Sequence, residues 1–397
     1  MIYSASKLAF IGEYIPEELN DYYRELGKSN FSGAIFNNTL LKGLREEYEN
    51  VTILSCPSIG HYPIFSRYPI TKTFHIDNDT LCLGYNNLIG LNNYSKKNKI
   101  FKEFSKRFKK NEYIDVIVSE ASYFALLSYK KIKKHFKNVR GILLVFDLPE
   151  NIIGSKKSFI YSTLKKVSYS KIRKMYNLFD SFVFLSEQMN DKVNFFNKPY
   201  KVFPCIVDLS SNDNIERKHN SKFVVTYSGV VSKQYNIDLL LEAFSYIKSD
   251  DFVLRIVGGG DGVDAVKKAM LSDSRIEYLG VMSPSNALRL QYNSDCLINP
   301  RLPNKQYASE SFPSKTVNYL LTLKPVVSYN FSSIPEEILN LLFIPNDYTP
   351  ESMAETILKC KNSSYNSNNV YNVLEKYSYK SAGRLFKNLF NYVKNNN

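Results

Sequence analysis

The sequence of 397 residues has no tryptophan, four histidines and five cysteines. The cysteines are odd in number and widely spaced, without a Cys-x-x-Cys pair, which argues against a disulfide framework and a zinc site. The histidines show no metal-ligand spacing. We therefore predict no metal, and reduced thiols in a cytoplasm. The cysteines are Cys56, Cys82, Cys205, Cys296 and Cys360, and the histidines are His61, His75, His135 and His219.

Long hydrophobic runs are also missing. No apolar stretch approaches the roughly 20 residues that a helix needs to span a bilayer. Near the start, Lys7 precedes only a short apolar run, residues 8–12, which predicts a first strand rather than a signal peptide. The sequence predicts a cytoplasmic protein, or one bound to the inner face of the cell membrane from one side. Its length suits two ordinary domains.

Acidic residues are scarce in one region, residues 96–174. The chain has 52 Lys or Arg and 38 Asp or Glu, a net charge of +14. Residues 96–174 hold 21 of the basic residues and six of the acidic ones, so this region supplies essentially the whole excess. Apolar residues alternate with the cations at helical spacing, so peripheral contact with an anionic membrane is one interpretation, at about 1 kcal/mol per cation. A merely solvated basic surface is the other. No nucleic-acid motif accompanies the charge, so no nucleic-acid partner is predicted.

Strand-like and helix-like segments alternate along the chain, which predicts an α/β fold with parallel sheets and helices on both faces. The segment 57–99 is irregular and predicts an extra hairpin or loop. A polar stretch, residues 210–221, predicts a linker. The predicted domains are residues 1–209 and 222–370, followed by a helical segment, residues 371–397.

The segment 312–328, FPSKTVNYLLTLKPVVS, is the most informative part of the sequence. It predicts a tight loop, a helix and a buried strand. Pro313 suits the first helical position, and the Ser314 hydroxyl can cap the helix start. Lys315 places a cation in the first turn, where the helix dipole disfavours one unless an anion is bound there. The segment therefore predicts a phosphate site without the glycines of a P-loop.

The same segment resembles the donor-site signature of retaining nucleotide-sugar glycosyltransferases of family 4, in which a Pro-Ser-Lys helix precedes a Lys-Pro-Val-Val strand. Further motifs match in the family's order. They are Tyr227-Ser228-Gly229, Gly258-Gly259-Gly260 and Asn299-Pro300-Arg301, with Asp147-Leu148-Pro149 in the first half of the chain. As an ordered set the motifs are specific, whereas each one alone is common.

The resemblance implies the GT-B fold, with two Rossmann-like, doubly wound domains, a cleft between them and a C-terminal helix that crosses back to the first domain. It also implies a retaining, metal-independent transferase without a cofactor. The donor would be a nucleotide-diphosphate sugar of the UDP or GDP type. The acceptor would be a saccharide, in the assembly of capsule, exopolysaccharide or a related bacterial cell-surface glycan. The basic region favours a lipid-linked acceptor.

A departing diphosphate must be met by positive charge and N–H donors. The candidate cations are Lys315, Arg301 and Lys233, and the other interpretation of each is a solvated surface cation. The loop that begins at Gly258 is predicted to contact the base. The further predicted donor-binding residues are Ser228, Gly229, Gly258, Gly259 and Ser314.

Several positions depart from the family's pattern. Val230, Tyr235 and Asn236 stand where many members have Arg, Lys and Gly. The family's Glu-x7-Glu pair is represented by Glu310 and Asn318, which the resemblance assigns to the donor sugar and to the nucleotide ribose. The Asn318 amide lacks the charge-assisted hydrogen bond of a carboxylate, which is about twice as strong as a neutral one.

Two residues of the first half complete the predicted site. Gly33 matches the family's glycine-rich turn after the first strand, where backbone N–H groups approach a ligand, and its other interpretation is an ordinary turn glycine. Asp147 resembles the family's residue near the acceptor hydroxyl, and its other interpretation is a turn cap. The predicted catalytic residues are Asp147, Glu310 and Lys315.

Two alternative functions stay open. One is a non-catalytic GT-B partner subunit of an active glycosyltransferase, which the departures from the family's pattern favour. The other is a GT-B sugar-nucleotide epimerase. The sequence Asp77-Asn78-Asp79 has the form of a metal-binding Asp-x-Asp motif, but it lacks the flanking strands of that fold, so we predict a turn.

Overall fold

A computed structural model describes residues 7–28, 31–119, 122–146, 148, 170–212, 220–303, 312–363 and 365–396. The chain divides into two compact units. The first comprises Met1–Ile206 and Tyr379–Asn397, and the second comprises Val207–Ser378. The predicted boundaries lay at residues 209, 222 and 371, so residues 371–378 fall in the second unit rather than with the C-terminal helix.

The first unit contains an eight-stranded sheet in the order β3-β4-β2-β1-β5-β6-β7-β8. Neighbouring strands are parallel, except that β3 and β4 are antiparallel. Strands β1, β2 and β5 are buried almost throughout, as expected for strands covered by helices on both faces. The strands are β1 (Lys7–Gly12), β2 (Val51–Ser55), β3 (Phe74–His75), β4 (Thr80–Cys82), β5 (Ile114–Ser119), β6 (Val139–Val145), β7 (Ser181–Phe184) and β8 (Tyr200–Val202).

The hairpin predicted within residues 57–99 is present as β3 and β4. Its turn carries the Asp-x-Asp sequence, and the Asp79 N–H donates to Asp77 Oδ1 at 2.8 Å. The prediction of a turn at this place is therefore confirmed.

The helices of the first unit cover the sheet with apolar stripes, of which Ile100 and Phe104 in α3 are buried examples. The Phe104 ring meets the Phe136 ring edge to face at 5.0 Å, next to α4. Residues 170–176 are also helical. The helices are α1 (Asn20–Glu25), α2 (Ser32–Glu47), α3 (Asn92–Arg107), α4 (Tyr123–His135) and α5 (Glu187–Val193).

The second unit contains a five-stranded, fully parallel sheet in the order β11-β10-β9-β12-β13. Its strands are β9 (Phe223–Ser228), β10 (Phe252–Val257), β11 (Ile276–Tyr278), β12 (Cys296–Asn299) and β13 (Val326–Ser328). Its helices are α6 (Ile237–Tyr246), α7 (Val263–Ser272), α8 (Pro284–Tyr292), α9 (Ser314–Leu320), α10 (Glu336–Leu339), α11 (Pro350–Lys361) and α12 (Ser367–Glu375).

Each sheet reverses its strand order once. The reversal lies between β1 and β5 in the first sheet and between β9 and β12 in the second. Ligands of doubly wound sheets bind outside the carboxyl ends of the strands at this point. The predicted pair of Rossmann-like, doubly wound halves is confirmed, and the topology directs attention to the loops that follow these four strands.

The last helix, α13 (Tyr379–Asn396), packs on α2 within the first unit. The two helices approach closely at Gly43 and Gly383, where a Cβ on either glycine would collide with the backbone of the other helix. Lys387 Nζ donates to Glu47 Oε2 at 3.0 Å. The predicted C-terminal helix that crosses back is confirmed. In the described part of the chain, no helix combines the length and the apolar character needed to cross a bilayer.

Candidate functional site

The loops that follow β9 and β10 are joined by backbone hydrogen bonds. The Gly229 N–H donates to Val257 O at 2.8 Å, and the Val231 N–H donates to Gly259 O at 2.9 Å. The Gly262 N–H returns a bond to Val231 O at 2.9 Å. The two loops therefore form one layer at the carboxyl edge of the second sheet.

This layer depends on glycine. Gly258 has a φ of +132° and Gly260 a φ of +149°, which side-chain-bearing residues rarely adopt. A Cβ on Gly258 would also collide with Gly229 O, and one on Gly260 with Val231 O. The glycine run thus has a packing role that the sequence analysis did not assign. The predicted contact of Gly258 and Gly259 with a base stays a prediction.

Lys315 lies in the first turn of α9. Pro313 precedes this helix with φ −77° and ψ 74°, and no side chain caps the helix start. The predictions that Pro313 is the first helical residue and that Ser314 caps the helix are therefore wrong. The physical reason is that Ser314 is itself the first helical residue, so its hydroxyl lies on the exposed helix surface rather than at the cap.

The half-buried Lys315 ammonium fills the space that a Cβ on Gly229 would need. Its Nζ lies 5.5 Å from the Tyr227 ring centroid and 5.9 Å from that of Tyr235. Burial, and then the charge of Arg301, lower the pKa of Lys315 to about 8. Among the described residues no carboxylate pairs with this ammonium. A desolvated cation of this kind is prepared for an anionic ligand.

Arg301 is the second cation of the site and follows the end of β12. Its Cζ lies 5.8 Å from the Tyr235 ring centroid and 5.7 Å from that of Phe331. The next residue, Leu302, donates its N–H to Asn236 Oδ1 at 3.1 Å. Asn236 has φ 61° and ψ 38°, a left-handed conformation that Asn tolerates better than most residues. Asn236 thus adopts a conformation that glycine also adopts readily, and its side chain adds a tether beside Arg301.

Tyr319 fixes α9 to the end of β9. Its hydroxyl accepts from the Ser228 N–H at 3.0 Å and donates to Ser228 O at 2.8 Å. One turn earlier, Thr316 Oγ1 accepts from Asn299 Nδ2 at 3.1 Å. These bonds hold Lys315 in place. Four residues of this site were not predicted from the sequence, namely Tyr227, Tyr235, Thr316 and Tyr319. The spacing of Thr316 and Tyr319 is nevertheless that of one buried helix face.

The other predicted donor residues are more exposed. Ser314 and Asn318 lie four residues apart on the outer face of α9. Lys233 is exposed in a short 3-10 turn, and its N–H donates to Asp261 Oδ1 at 3.3 Å. Two further predicted residues, Asp147 and Glu310, lie outside the residues that the structure describes.

Gly33 belongs to the first unit and lies within the first turn of α2. The prediction that it sits in a turn before the helix is wrong, because the helical hydrogen bond from the Ile35 N–H to Phe31 O, at 2.9 Å, already encloses it. A Cβ there would lie 3.6 Å from Glu13 Oε2, an ordinary contact. The space around Gly33 therefore does not require glycine.

A buried polar cluster that the sequence analysis did not single out lies at the carboxyl edge of the first sheet. Glu13 Oε1 accepts from Lys28 Nζ at 2.7 Å and from the Ser58 N–H at 3.0 Å. Lys96 Nζ donates to Ser58 Oγ at 2.9 Å and lies 4.2 Å from the Tyr85 ring centroid. Lys28 is 9% exposed and Lys96 is 3% exposed. These cations are held by acceptors of the protein itself.

Comparison with known proteins agrees with this architecture. Residues 210–381 match the family model described as Glycosyl transferases group 1. A search among curated protein sequences finds no match. Among solved structures, sucrose-phosphate synthase from Thermosynechococcus elongatus is similar over 99% of this chain and 100% of its own, with 10% identity and a TM-score of 0.62.

Two more structures are similar over nearly the whole chain. Anabaena HepE in complex with UDP has 12% identity and a TM-score of 0.61, covering 97% of this chain and 100% of its own. The lipopolysaccharide outer core galactosyltransferase WaaB has 14% identity and a TM-score of 0.57, covering 97% and 99%. The chain has the GT-B fold. This fold and the family match in the second unit support a glycosyltransferase that uses a nucleotide sugar.

Within the described ranges, no group of three His, Cys, Asp or Glu side chains is arranged to hold a metal ion. The five cysteines are all buried and unpaired with one another in disulfides. Among the described residues, the carboxyl edge of the second sheet presents two cations, aromatic rings and backbone amides.

Proposed function

We propose that the protein is a retaining, metal-independent glycosyltransferase of family 4. Its donor is a nucleotide-diphosphate sugar of the UDP or GDP type, and it requires no cofactor. The observation that carries the proposal is the Lys315 ammonium, which lies against Gly229 at the carboxyl end of β9 without a described counter-ion. This arrangement occurs in the part of the chain that matches Glycosyl transferases group 1.

The proposed chemistry follows from the charge that develops on the donor. As the bond from the anomeric carbon to the diphosphate breaks, negative charge grows on the leaving phosphate, and Lys315 and Arg301 stabilise it. A pKa of about 8 leaves Lys315 largely protonated at neutral pH, and a bound diphosphate raises that pKa further. The departing phosphate oxygen takes the proton of the acceptor hydroxyl, which attacks on the same face. No enzymic nucleophile is needed.

The remaining predicted residues take supporting roles in this proposal. Asn318 accepts a hydrogen bond from the ribose, and Ser314 and Lys233 contact the diphosphate. Glu310 binds hydroxyls of the donor sugar, and Asp147 orients the acceptor hydroxyl. Further proposed contacts to the donor come from Gly33, Ser228, Gly229, Gly258 and Gly259.

We propose a lipid-linked saccharide as the acceptor, in the assembly of a bacterial capsule, exopolysaccharide or related cell-surface glycan. One similar structure is a lipopolysaccharide outer core galactosyltransferase, which supports a cell-surface role. The basic character of residues 96–174 supports peripheral contact with the inner face of the cell membrane. The polar cluster of Glu13, Lys28 and Ser58 lies at the carboxyl edge of the first sheet and is a candidate contact for the saccharide.

The donor assignment is tested by thermal shift with a panel of UDP-, GDP- and other nucleotide sugars. A ligand that binds only the folded state raises the melting temperature, so we expect one nucleotide class to stabilise the protein. The variant Lys315→Ala should lose this shift. The matched control Lys267→Ala, an exposed lysine of α7, should keep it. A panel without any stabilising nucleotide sugar contradicts the proposal.

The reaction is then assayed with the stabilising donor, and the anomeric configuration of the product is read by NMR. Retention supports the proposal, and inversion overturns its mechanism. Free nucleotide and a 2-acetamidoglycal, formed without acceptor, would identify an epimerase instead. An inactive protein that binds an active glycosyltransferase would identify a partner subunit.

A further inference from the structure

Two loops of the first unit, residues 61–70 and 86–91, and Tyr94 in the first turn of α3 expose large apolar side chains. We call these six residues the apolar patch; each is between 52% and 70% exposed. Apolar residues exposed singly are common, whereas a cluster marks a surface that binds something. The apolar patch consists of Ile64, Phe65, Ile70, Ile89, Leu91 and Tyr94.

The two loops lie side by side. Tyr62 forms a parallel bridge with Leu88, and Ile70 forms an antiparallel bridge with Asn86. Ile64 and Phe65 follow the first bridge on one loop, and Ile89 and Leu91 follow it on the other. The bridges therefore place the two loops that carry most of the patch next to each other.

The patch projects from the surface. Gly90, between Ile89 and Leu91, has a φ of +81°, and apart from these two neighbours no described atom lies within 4 Å of the position that its Cβ would take. On the other loop, Ile64 and Phe65 belong to a turn closed by the hydrogen bond from the Phe65 N–H to His61 O, at 2.8 Å. Two short tips are thus available to enter an apolar layer.

Positive charge lies next to the patch on one side. The two loops contain no Asp or Glu. Helix α3 begins at the end of the second loop and packs on α4, and together the two helices carry ten Lys or Arg and one acidic residue, Glu103. Of the ten cations, Lys96 is buried, and Lys106, Arg107 and Lys133 form ion pairs with carboxylates. Lys97 Nζ lies 4.9 Å from the Tyr94 ring centroid, so the cations begin at the patch itself.

The exposed lysines Lys99 and Lys102 on α3 form no ion pair with the described residues. Apolar tips and a basic helix that follows one of them are complementary to an anionic bilayer, whose headgroups attract cations and whose acyl region accepts apolar side chains. Each cation near such a surface raises the affinity about fivefold. Tyrosine is also favoured at the level of the headgroups.

We propose that the apolar patch inserts into an anionic bilayer while the lysines of α3 and α4 contact its headgroups. The inference deepens the membrane contact of the proposed function and names the surface that makes it. It does not depend on the donor site, because binding to vesicles requires no nucleotide.

The experiment is co-sedimentation of the full chain with vesicles of phosphatidylcholine, with and without phosphatidylglycerol. The protein should bind only the anionic vesicles. The double variant Ile64→Ser/Phe65→Ser should bind them at least about tenfold more weakly at any salt concentration, because it removes apolar insertion. Lys99→Glu/Lys102→Glu should bind about tenfold or more weakly at low salt, with a reduced dependence on salt.

The matched controls lie in the second unit. Leu271→Ser replaces an apolar residue that is 90% exposed, and Lys267→Glu/Lys268→Glu reverses two exposed charges of α7. Both controls should bind as the parent protein does. The increase in melting temperature caused by the stabilising nucleotide sugar should be the same in all variants. This result would show that a loss of vesicle binding does not come from damage to the donor site.

Three outcomes would overturn the inference. The first is that the parent protein does not bind anionic vesicles. The second is that the Ile64→Ser/Phe65→Ser variant binds them as tightly as the parent. The third outcome is a concentration-dependent dimer in sedimentation that this same variant abolishes, which would assign the apolar patch to a second copy of the chain.

Discussion

Lys28 at the carboxyl edge of the first sheet and Lys315 at that of the second are two desolvated lysines with different partners. In the first unit, Lys28 is buried against Glu13 at 2.7 Å, so the cation is neutralised within the protein. In the second unit, Lys315 is desolvated with Arg301 nearby and no described carboxylate, and its pKa falls to about 8. Two doubly wound sheets therefore differ in how they hold a lysine at the carboxyl edge. The paired cation of the first unit is neutralised within the protein, and the second, which has no carboxylate partner among the described residues, is suited to bind an anionic ligand.

The largest effect is expected when Lys315, the cation of the second unit, is removed. Lys315→Ala should reduce turnover about 100-fold, because one preorganised cation is lost from the leaving diphosphate. Turnover is measured with the nucleotide sugar that stabilises the protein. The control Lys267→Ala should retain activity. If Lys315→Ala turned over at the parental rate, the residue would not belong to the donor site.

The corresponding substitution in the first unit, Lys28→Ala, should lower the stability of the fold and leave donor binding unchanged. Lys28→Ala leaves the Glu13 carboxylate buried without its ion-pair partner, which costs about 3 kcal/mol of unfolding free energy. Denaturant unfolding measures this loss, and the donor-induced thermal shift should persist. The double variant Glu13→Ala/Lys28→Ala should recover part of the stability. If Lys28→Ala were as stable as the parent but its melting temperature no longer rose with the donor, Lys28 would belong to donor binding rather than to the stability of the fold.

The second-unit cation should also show itself in the pH dependence of donor affinity. The folded pKa of Lys315 is lowered to about 8, so in the free protein the ammonium loses its proton as the pH rises through that value. Donor affinity should be constant below about pH 7 and about tenfold weaker near pH 9, as measured by calorimetry. Lys315→Ala should lose this pH dependence.

The same pKa shift has a defined effect on stability. Between about pH 8 and the ordinary lysine pKa of 10.5 the unfolded chain binds more protons at this position than the folded chain. The contribution of Lys315 to stability therefore increases with pH across that interval, which is the sign expected for a cation buried without a partner. Comparing the unfolding free energies of the parent and Lys315→Ala across this interval isolates the contribution.

Two glycine variants separate ligand binding from folding at the second edge. Gly229→Ala places a Cβ on the flexible end of Lys315, so we expect about tenfold weaker donor binding and a nearly unchanged melting temperature. In Gly258→Ala the new Cβ collides with the backbone oxygen of Gly229, and the φ of +132° is strained for alanine. This variant should therefore destabilise the fold. Equal effects of the two variants on stability would contradict this account.

The smallest expected effect concerns the tether beside Arg301. Asn236→Gly keeps the left-handed backbone but removes the side chain that accepts from the Leu302 N–H. We expect a loss of donor affinity of about threefold to fivefold, consistent with one neutral hydrogen bond, and little change in melting temperature. Asn236→Ala should lower the melting temperature as well, since Ala is strained at φ 61°. If both variants bound the donor as tightly as the parent, the hydrogen bond between Asn236 and Leu302 would have no role in donor binding.

Local sequence patterns predicted the elements and their types well, because buried parallel strands and amphipathic helices have characteristic periods. The first residue and the cap of the helix at Ser314 were mispredicted. The local sequence is compatible with more than one starting residue, and the tertiary contacts of the buried helix face decide which one is used. Gly33 was mispredicted for a related reason. A glycine before an apolar helical pattern is compatible with either the turn or the first helical turn.

Alternating apolar segments and ordered loop motifs were enough to determine two doubly wound halves and the region where a diphosphate was expected. Tertiary structure decided the contacts that make the site specific. Lys315 lies against Gly229, Tyr319 bonds to Ser228 across 91 positions and Asn236 bonds to Leu302 across 66. Such pairs have no local signal in a single sequence, because their energies depend on the distances that folding establishes.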